Sequence, residues 1–295
     1  MNILVSGASG FVGQALCAFL QKAGHSVTKI DRHSPFTSLR SDIPYDCLVS
    51  LAGRAHVMQE TATNVYQAYA DININYTLKM AQLAKDLGIK RFIFLSSVKV
   101  NGESTETPFT PEDKPAPLDA YGKSKLEAEI ALKGFCAGNG IEWVIIRPPL
   151  IYGPGVKANF KSLITLCKKT VPLPFATIYN KRSLISLENL NDFITLCCHH
   201  PHAANQIFLI SDDHDVSTMT LIRTIKKSLG LRPLLLPFPP LLMKWMFSLV
   251  GRHSLSDRLL GNLQVNTAKA KQMLGWQPVI SFDEGIKRTV ADYVD

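Results

Sequence analysis

Charge is scarce in this chain of 295 residues: 19% of its residues are charged, against 46% hydrophobic. The average globular chain carries roughly 25% charged residues. Disordered chains show the opposite balance, low hydrophobicity with high charge, so that class is excluded and a large buried core is implied. Paired cysteine motifs are missing too. The six cysteines, Cys17, Cys47, Cys136, Cys167, Cys197 and Cys198, form no C-x-x-C pair, and most sit in apolar runs. Buried free thiols in a reducing compartment are expected. The N-terminus lacks the basic start and cleavable apolar stretch of a signal peptide, so a cytoplasmic location is expected. No clean apolar run of about 20 residues exists. The most apolar stretch, 233–251, is interrupted by Pro237, Pro239, Pro240 and Lys244, so no integral membrane span is expected.

The charge that is present is unbalanced. Lys and Arg number 32 against 24 Asp and Glu, a net charge of +8. The basic residues do not gather in a tail or a long run. A small anionic, phosphorylated ligand is therefore the better reading, and nucleic acid is not expected as a partner.

No repeat, low-complexity segment or Gly/Ser-rich linker interrupts the chain. Its first half alternates short apolar runs with helical patterns, the signature of βαβ units and a parallel sheet. Strands are expected at 2–6, 26–30, 46–51, 91–96 and 142–147. Helices are expected at 11–23, 65–88 and 119–138. After Gly155 the elements become short and mixed. The fold class is α/β: a Rossmann-type doubly wound parallel sheet with a smaller, interleaved C-terminal lobe. Residues 1–155 form the expected dinucleotide-binding domain with the catalytic residues. Residues 156–295 form mostly a substrate lobe, with some segments returning to the first domain.

Gly7-Ala8-Ser9-Gly10-Phe11-Val12-Gly13 directly follows the first strand and opens the first helix. The first glycine permits the tight turn, the second the approach of a pyrophosphate, and the third close packing of helix on strand. Amides at the helix start, with the positive end of its dipole, then face the phosphates. Asp31 closes the second strand, 18 residues after Gly13, near the spacing of about 20 at which an acidic residue binds the adenosine ribose. NAD is thus expected over NADP, although the adjacent Arg32 offers a guanidinium to a 2′-phosphate.

Tyr121 and Lys125 lie four apart on a helix, hence on one face. An ammonium beside a phenol favours the phenolate, which can then take a proton from a sugar hydroxyl while hydride leaves to a nicotinamide. Ser96-Ser97 ends a parallel strand at its carboxyl end, where open α/β sheets bind ligands. Ser97 is not in a G-x-S-x-G elbow, so serine hydrolysis is set aside. His199, His200 and His202 have no acidic or cysteine partner at ligand spacing; a helix C-terminal role is expected and no metal.

With these residues in order, the sequence resembles the extended short-chain dehydrogenase/reductase family, in particular nucleotide-sugar 4-epimerases and 4-ketosugar reductases. The resemblance runs over essentially the whole chain. It is carried by Gly7, Gly10 and Gly13, Asp31, Leu51-Ala52-Gly53, Asn73 in Asn-Ile-Asn-Tyr-Thr, Phe94-Leu95-Ser96-Ser97, and Tyr121 with Lys125. Further on it is carried by Arg147-Pro148-Pro149-Leu150-Ile151-Tyr152-Gly153-Pro154-Gly155, Arg182-Ser183-Leu184-Ile185, and the closing Leu274-Gly275-Trp276-Gln277-Pro278. The resemblance implies catalysis by Ser97, Tyr121 and Lys125. It implies cofactor contacts at Gly7, Ser9, Gly10, Phe11, Val12, Gly13, Asp31, Arg32, Leu51, Ala52, Gly53, Asn73, Lys125 and Pro148, with Asp42 and Ile43 as candidates for the adenine pocket. It implies substrate contacts at Ser97, Asn159 and Arg182, the last on a diphosphate, and a homodimer through the helices at 65–88 and 119–138.

Four positions depart from the family pattern. Leu150 replaces the usual asparagine, Asn101 replaces the tyrosine of a V-Y-G turn, and Val98-Lys99 stands where dehydratases carry an acid pair. Loss of that pair argues against 4,6-dehydration. The expected activity is NAD-dependent epimerisation at C4 of a UDP-hexose or UDP-N-acetylhexosamine. The alternative is NAD(P)H-dependent 4-reduction of a UDP-4-keto-6-deoxy-HexNAc. A non-catalytic dinucleotide-binding regulator is the competing class.

Overall fold

Among the described residues, a six-stranded, wholly parallel sheet positions everything else. The structure, a computed structural model, describes residues 1–30, 44–53, 65–249, 251 and 253–294. The sheet contains β1 (Asn2–Ser6), β2 (Ser26–Ile30), β3 (Cys47–Ser50), β4 (Arg91–Leu95), β5 (Glu142–Arg147) and β8 (Gln206–Leu209), in the order β2-β1-β3-β4-β5-β8. Strand β6 (Leu150–Tyr152) pairs in parallel with β7 (Leu184–Ser186) in a separate two-stranded sheet. The expected strands form within a residue of their boundaries. The Rossmann-type expectation is met.

Alternation decides which side chain enters which core. Ile3, Val5, Cys47, Val49, Ile93, Leu95, Val144 and Ile146 face one layer, against α1 (Phe11–Lys22), α6 (Leu187–His199) and α10 (Ala268–Leu274). Leu4, Leu48, Phe92, Phe94 and Ile145 face the opposite layer, against α3 (Tyr76–Asp86) and α4 (Ala120–Asn139). Both faces are covered, which is why these strands read as continuous apolar runs. All six cysteines are buried free thiols. The expected helix at 65–88 is α2 (Val65–Ala70), a π turn (Asp71–Asn75) and α3 in succession.

A third core builds the C-terminal lobe. Helix α5 (Ala158–Lys168) contributes Phe160, Ile164 and Cys167, and α7 (Thr218–Ser228) contributes Leu221, Ile222 and Ile225. Helix α11 (Phe282–Val290) adds Phe282, Ile286 and Val290 at four-residue spacing. Two short helices complete the lobe, α8 (Pro240–Leu249) and α9 (His253–Leu260). A polar joint ties this lobe to the sheet. Asp212, just past β8, accepts from the Tyr152 hydroxyl at 2.6 Å, the Ser186 amide at 2.9 Å and the Asn189 amide side chain at 2.7 Å. Glycine is required at 285, because a Cβ there would lie 2.6 Å from the Tyr152 hydroxyl. Trp276, from the closing motif, is buried and donates from Nε1 to Asp192 at 2.9 Å.

The most demanding burial is electrostatic. Arg147 at the end of β5 and Glu129 on α4 are both almost fully buried. The guanidinium donates to Oε1 at 2.9 Å and to Oε2 at 2.6 Å, and its third nitrogen donates to Asn101 Oδ1 at 3.1 Å. The Ser96 hydroxyl donates to the same carboxylate at 2.5 Å. All three guanidinium nitrogens and both carboxylate oxygens are therefore hydrogen-bonded. Removing one partner of such a pair leaves a bare buried charge, at a cost of about 3–5 kcal/mol, whereas replacing both by apolar groups is often neutral. Glu129→Met is expected to lower unfolding stability by about that amount in urea titration, and Glu129→Met with Arg147→Met is expected to recover most of it.

Candidate active site

The order of the sheet reverses direction between β1 and β3, and ligands of such folds bind at the carboxyl ends of the strands beside that point. Three glycines make the surface there. At Gly7 the backbone is left-handed, with φ of +75°, and a Cβ would lie 2.6 Å from the Ala52 amide nitrogen. A Cβ on Gly13 would lie 2.1 Å from the Gly7 carbonyl oxygen. Helix and strand therefore approach closer than any side chain allows, and Leu51-Ala52-Gly53 lies against the turn. Gly10 is the N-cap of α1 and offers no side-chain cap, and the first turn holds no acidic residue. The orphaned amides of this turn, with the positive end of the helix dipole, suit a phosphate. Ser9 and Gly10 are exposed, and Phe11 and Val12 partly so. The cradle fits a dinucleotide. Asp31, Arg32, Asp42 and Ile43 lie outside the described residues, as do Arg54 and His56.

The catalytic candidates converge at the carboxyl end of β4. Ser97 caps a short turn at Val98–Val100, its hydroxyl accepting from the Lys99 amide at 3.3 Å, and that turn is pinned by Val98 donating to the carbonyl of buried Pro148 at 3.0 Å. Asp119 caps α4 by accepting from the Gly122 amide at 2.7 Å, which fixes the helix start at Ala120 and places Tyr121 in its first turn. Asp119 also pairs with Lys99, which holds Glu103 at 3.0 Å as well. Lys99, at one of the two positions where dehydratases carry acids, is thus occupied in steering the start of α4.

Tyr121 hydrogen-bonds Ser97, which favours its ionised form, but burial outweighs this and pushes the phenol up to about 12. Asp119 and Tyr69 add to the rise, and the Tyr69 ring lies 6.1 Å from the Tyr121 ring, centre to centre. This differs from the sequence expectation that Lys125 lowers the phenol. Lys125 is itself buried, and burial brings its ammonium down to about 8, with Glu129 opposing. Its Nζ donates to the Leu95 carbonyl at 2.9 Å and lies 4.5 Å from the centre of the Phe94 ring.

Asn73 completes the cluster from the π turn, an irregularity often found at functional sites. Its side-chain amide donates to the Ser124 hydroxyl at 2.8 Å, and Ser124 donates to the Tyr121 carbonyl at 2.8 Å. A Cβ on Gly53 would sit 3.1 Å from Lys125 Nζ and 3.2 Å from Asn73 Oδ1, so Gly53, Asn73 and Lys125 share one cavity wall. Ser97, Tyr121, Lys125, Asn73, Gly53 and Gly7 are thereby brought together.

Arg182 lies apart from them, in the C-terminal lobe. Its backbone bridges Val216 and Leu263, and its guanidinium donates to the Gly261 carbonyl at 3.1 Å. Burial, and then the nearby charge of Arg258 on α9, bring Arg182 down to about 10. Two guanidiniums placed this close suit a bound polyanion. Asn159 is exposed in the first turn of α5, and no hydrogen bond among the described residues ties it to Arg182.

Sequence reasoning missed Ser124, Tyr69, Glu129 and Arg258. Ser124 was within reach, being inside the Tyr-x-x-x-Lys span. Arg258 left no signal, standing 76 residues from its neighbour. The histidines behave as expected of a helix end, with His199 Nδ1 3.0 Å from the Thr195 carbonyl oxygen.

The family model described as the NAD dependent epimerase/dehydratase family matches residues 3–211. A UDP-glucose 4-epimerase of Vibrio cholerae is 42% identical, over 99% of this chain and 95% of that protein. Among solved structures, a UDP-glucuronic acid 4-epimerase from Bacillus cereus in complex with NAD superposes with a TM-score of 0.78 at 20% identity, covering 100% of this chain and 98% of the other. A UDP-glucose 4-epimerase from Thermotoga maritima with UDP-glucose gives 0.76 at 22% identity, covering 99% and 98%. Sheet order, glycine cradle and whole-length similarity agree: the chain belongs to the NAD-dependent epimerase/dehydratase family.

Proposed function

We propose that this protein is an NAD-dependent epimerase acting at C4 of a UDP-hexose or UDP-N-acetylhexosamine. The observation that carries the reading is the convergence of Ser97, Tyr121 and Lys125 at the carboxyl end of β4, beside a glycine cradle that accepts a dinucleotide. The similarity to the Vibrio cholerae protein supports the choice of substrate class. Residues 1–155 then serve the cofactor and 156–295 mostly the substrate, with Arg182 and Arg258 on its diphosphate. A homodimer through the helices at 65–88 and 119–138 belongs to the same reading.

The chain's own groups account for the proton. Gly7, Gly10 and Gly13, Gly53, Asn73 and Lys125 hold the cofactor, and Asp31, by its place in the sequence, favours NAD over NADP. NAD bound there would supply the hydride acceptor and later the donor, and in its oxidised form a positive charge on the nicotinamide that is lost once hydride is taken. Ser97 holds the substrate oxygen by a hydrogen bond, and Tyr121 receives the C4 hydroxyl proton as the C4–H bond breaks. A 4-keto sugar that turned within the lobe would expose its other face to the cofactor, and Tyr121 would return the proton to its C4 oxygen. With its phenol pushed up to about 12, Tyr121 is protonated in the ligand-free chain at neutral pH. Its ionisation therefore depends on the Ser97 hydroxyl and on positive charge nearby, part of which Lys125 supplies.

Incubation with UDP-glucose or UDP-N-acetylglucosamine, followed by separation of the C4 isomers, tests the activity. Inversion without added cofactor is expected, and net consumption of NAD(P)H on a UDP-4-keto sugar would assign a reductase instead. Tyr121→Phe should lose at least about a hundredfold in kcat, the lower range for a positioned proton-transfer group; parental activity in that variant would sink the mechanism. Arg182→Met should raise KM at least about tenfold, with a smaller change in kcat. The ammonium of Lys125 is charged below about pH 8 and neutral above it. Because kcat/KM reports ionisations of the free enzyme, it should fall as pH rises through that value. In Lys125→Arg that falling limb should move upward, out of the range.

A further inference from the structure

Helix α8 is apolar on both sides. Met243 and Phe247 turn inward onto the core of the C-terminal lobe. Outward stand Leu241, Leu242, Trp245, Met246 and Leu249, each between 44% and 83% exposed. Residues 242, 245, 246 and 249 follow the i, i+3, i+4, i+7 spacing of a single stripe. The extended segment before the helix continues the surface. It is bonded to the 173–176 segment through Leu173 donating to the Leu234 carbonyl at 3.0 Å and Leu236 donating to the Leu173 carbonyl at 2.9 Å. Leu235 packs inward, so its neighbours Leu234 and Leu236 point out and are exposed. Seven large apolar side chains thus meet water from one short stretch. Monomeric proteins rarely leave a patch larger than about 300–600 Å² uncovered without a function for it.

The segments that form this surface carry charge of one sign. Between Glu142 and Glu188, and again between Asp215 and Asp257, the sequence has no acidic residue. These two stretches hold 13 of the 32 basic residues and none of the 24 acidic ones. Lys168 and Lys169, leading into the 173–176 segment, Arg232, leading into Leu234, and Lys244 within α8 are all exposed. An apolar stripe of Leu, Trp and Met with basic residues beside it has the composition of a helix that lies in the headgroup layer of a bilayer. A second copy meeting the same face would bring like charges together. Among the described residues no helix is long and apolar enough to cross a membrane, so the contact is one of lying on the surface.

We propose that α8, with the 234–236 segment, docks this protein on anionic lipid bilayers. Trp245 and the leucines enter the acyl boundary, and Lys168, Lys169, Arg232 and Lys244 meet the lipid phosphates. Because α8 packs on α9, which carries Arg258, attachment holds the substrate lobe against the headgroups. The proposal does not depend on the C4 chemistry, since its test needs no turnover.

The intact protein is floated with vesicles of phosphatidylcholine mixed with phosphatidylglycerol, and with vesicles of phosphatidylcholine alone. Flotation with the mixed vesicles is expected, weakening as salt is raised. Leu242→Gln combined with Trp245→Gln and Leu249→Gln should reduce the bound fraction at least about tenfold, as expected when the buried apolar face is removed. The thermal midpoint and the activity in solution should be kept. Trp143 is half-buried and Trp276 buried, so a blue shift of tryptophan emission on adding vesicles should come from Trp245 and vanish in Trp245→Phe, which still floats. Absence of flotation at low salt overturns the proposal, as does flotation that the triple variant leaves unchanged. Self-association in sedimentation velocity that the triple variant abolishes would give the face to a second copy and also overturn it.

Discussion

The buried pair of Glu129 and Arg147 is the constraint from which the geometry of the site follows. Tyr121, Lys125 and Glu129 stand four residues apart, so one face of α4 carries all three. A carboxylate with no access to water tolerates only a position in which its acceptor sites are filled. Arg147 from β5 and the Ser96 hydroxyl from the end of β4 fill them. The rotation and height of α4 over the sheet are thereby fixed. One turn back, Lys125 reaches the Leu95 carbonyl, and two turns back Tyr121 reaches Ser97. The same carboxylate favours the ammonium of Lys125 against its own desolvation. Fold stability and the electrostatics of the proton relay share this one group.

How much of this was legible in the sequence depended on the range of the interaction. The glycine turn reads directly, because its demands are local: a left-handed backbone at Gly7 and no room for a Cβ at Gly13. The parallel strands read almost as directly, because burial on both faces removes polar alternation. Tyr121 and Lys125 are legible as a pair from helical spacing alone. Glu129 is not, since a glutamate on a helix ordinarily faces water, and only the arrival of Arg147 from β5 makes its burial possible. Asn101 looked like the loss of a tyrosine. In the structure it accepts from Arg147 and donates to the Thr110 carbonyl at 3.1 Å, tying the turn after β4 to the same buried network. Arg258 had no local signature, and the apolar stretch 233–251 stood out, but which of its side chains stay uncovered depends on tertiary neighbours.

The +8 charge takes on a different meaning once the elements are placed. Read as a total, it suggested a small anionic ligand. In the fold, part of it sits at the paired guanidiniums of Arg182 and Arg258, and much of the rest lies on the exterior of the C-terminal lobe. Burial first, and then the nearby charge of Arg258, lowers the proton affinity of Arg182, so an anion bound there is attracted by both groups. Surface lysines act differently: solvent and salt screen them beyond about 10 Å. They steer and attach without ordering a ligand atom by atom, and the two kinds of positive charge call for different partners.

The proton relay shows why a cofactor and a scaffold must act together. Burial drives Tyr121 and Lys125 towards neutrality from opposite sides, the phenol up to about 12 and the ammonium down to about 8. Left to desolvation alone, neither would carry charge in the midrange above neutrality. Each is opposed by one specific neighbour, Ser97 for the phenol and Glu129 for the ammonium, and at the phenol burial still prevails. Groups whose values are displaced by burial respond strongly to any further charge, because the surrounding medium screens it poorly. A ligand that brings positive charge beside Tyr121 and a hydroxyl to Ser97 therefore changes the ionisation of Tyr121 more than the same ligand would at an exposed phenol. The cost of burying Lys125 is in this sense part of the mechanism, since it makes the tyrosine sensitive to what is bound.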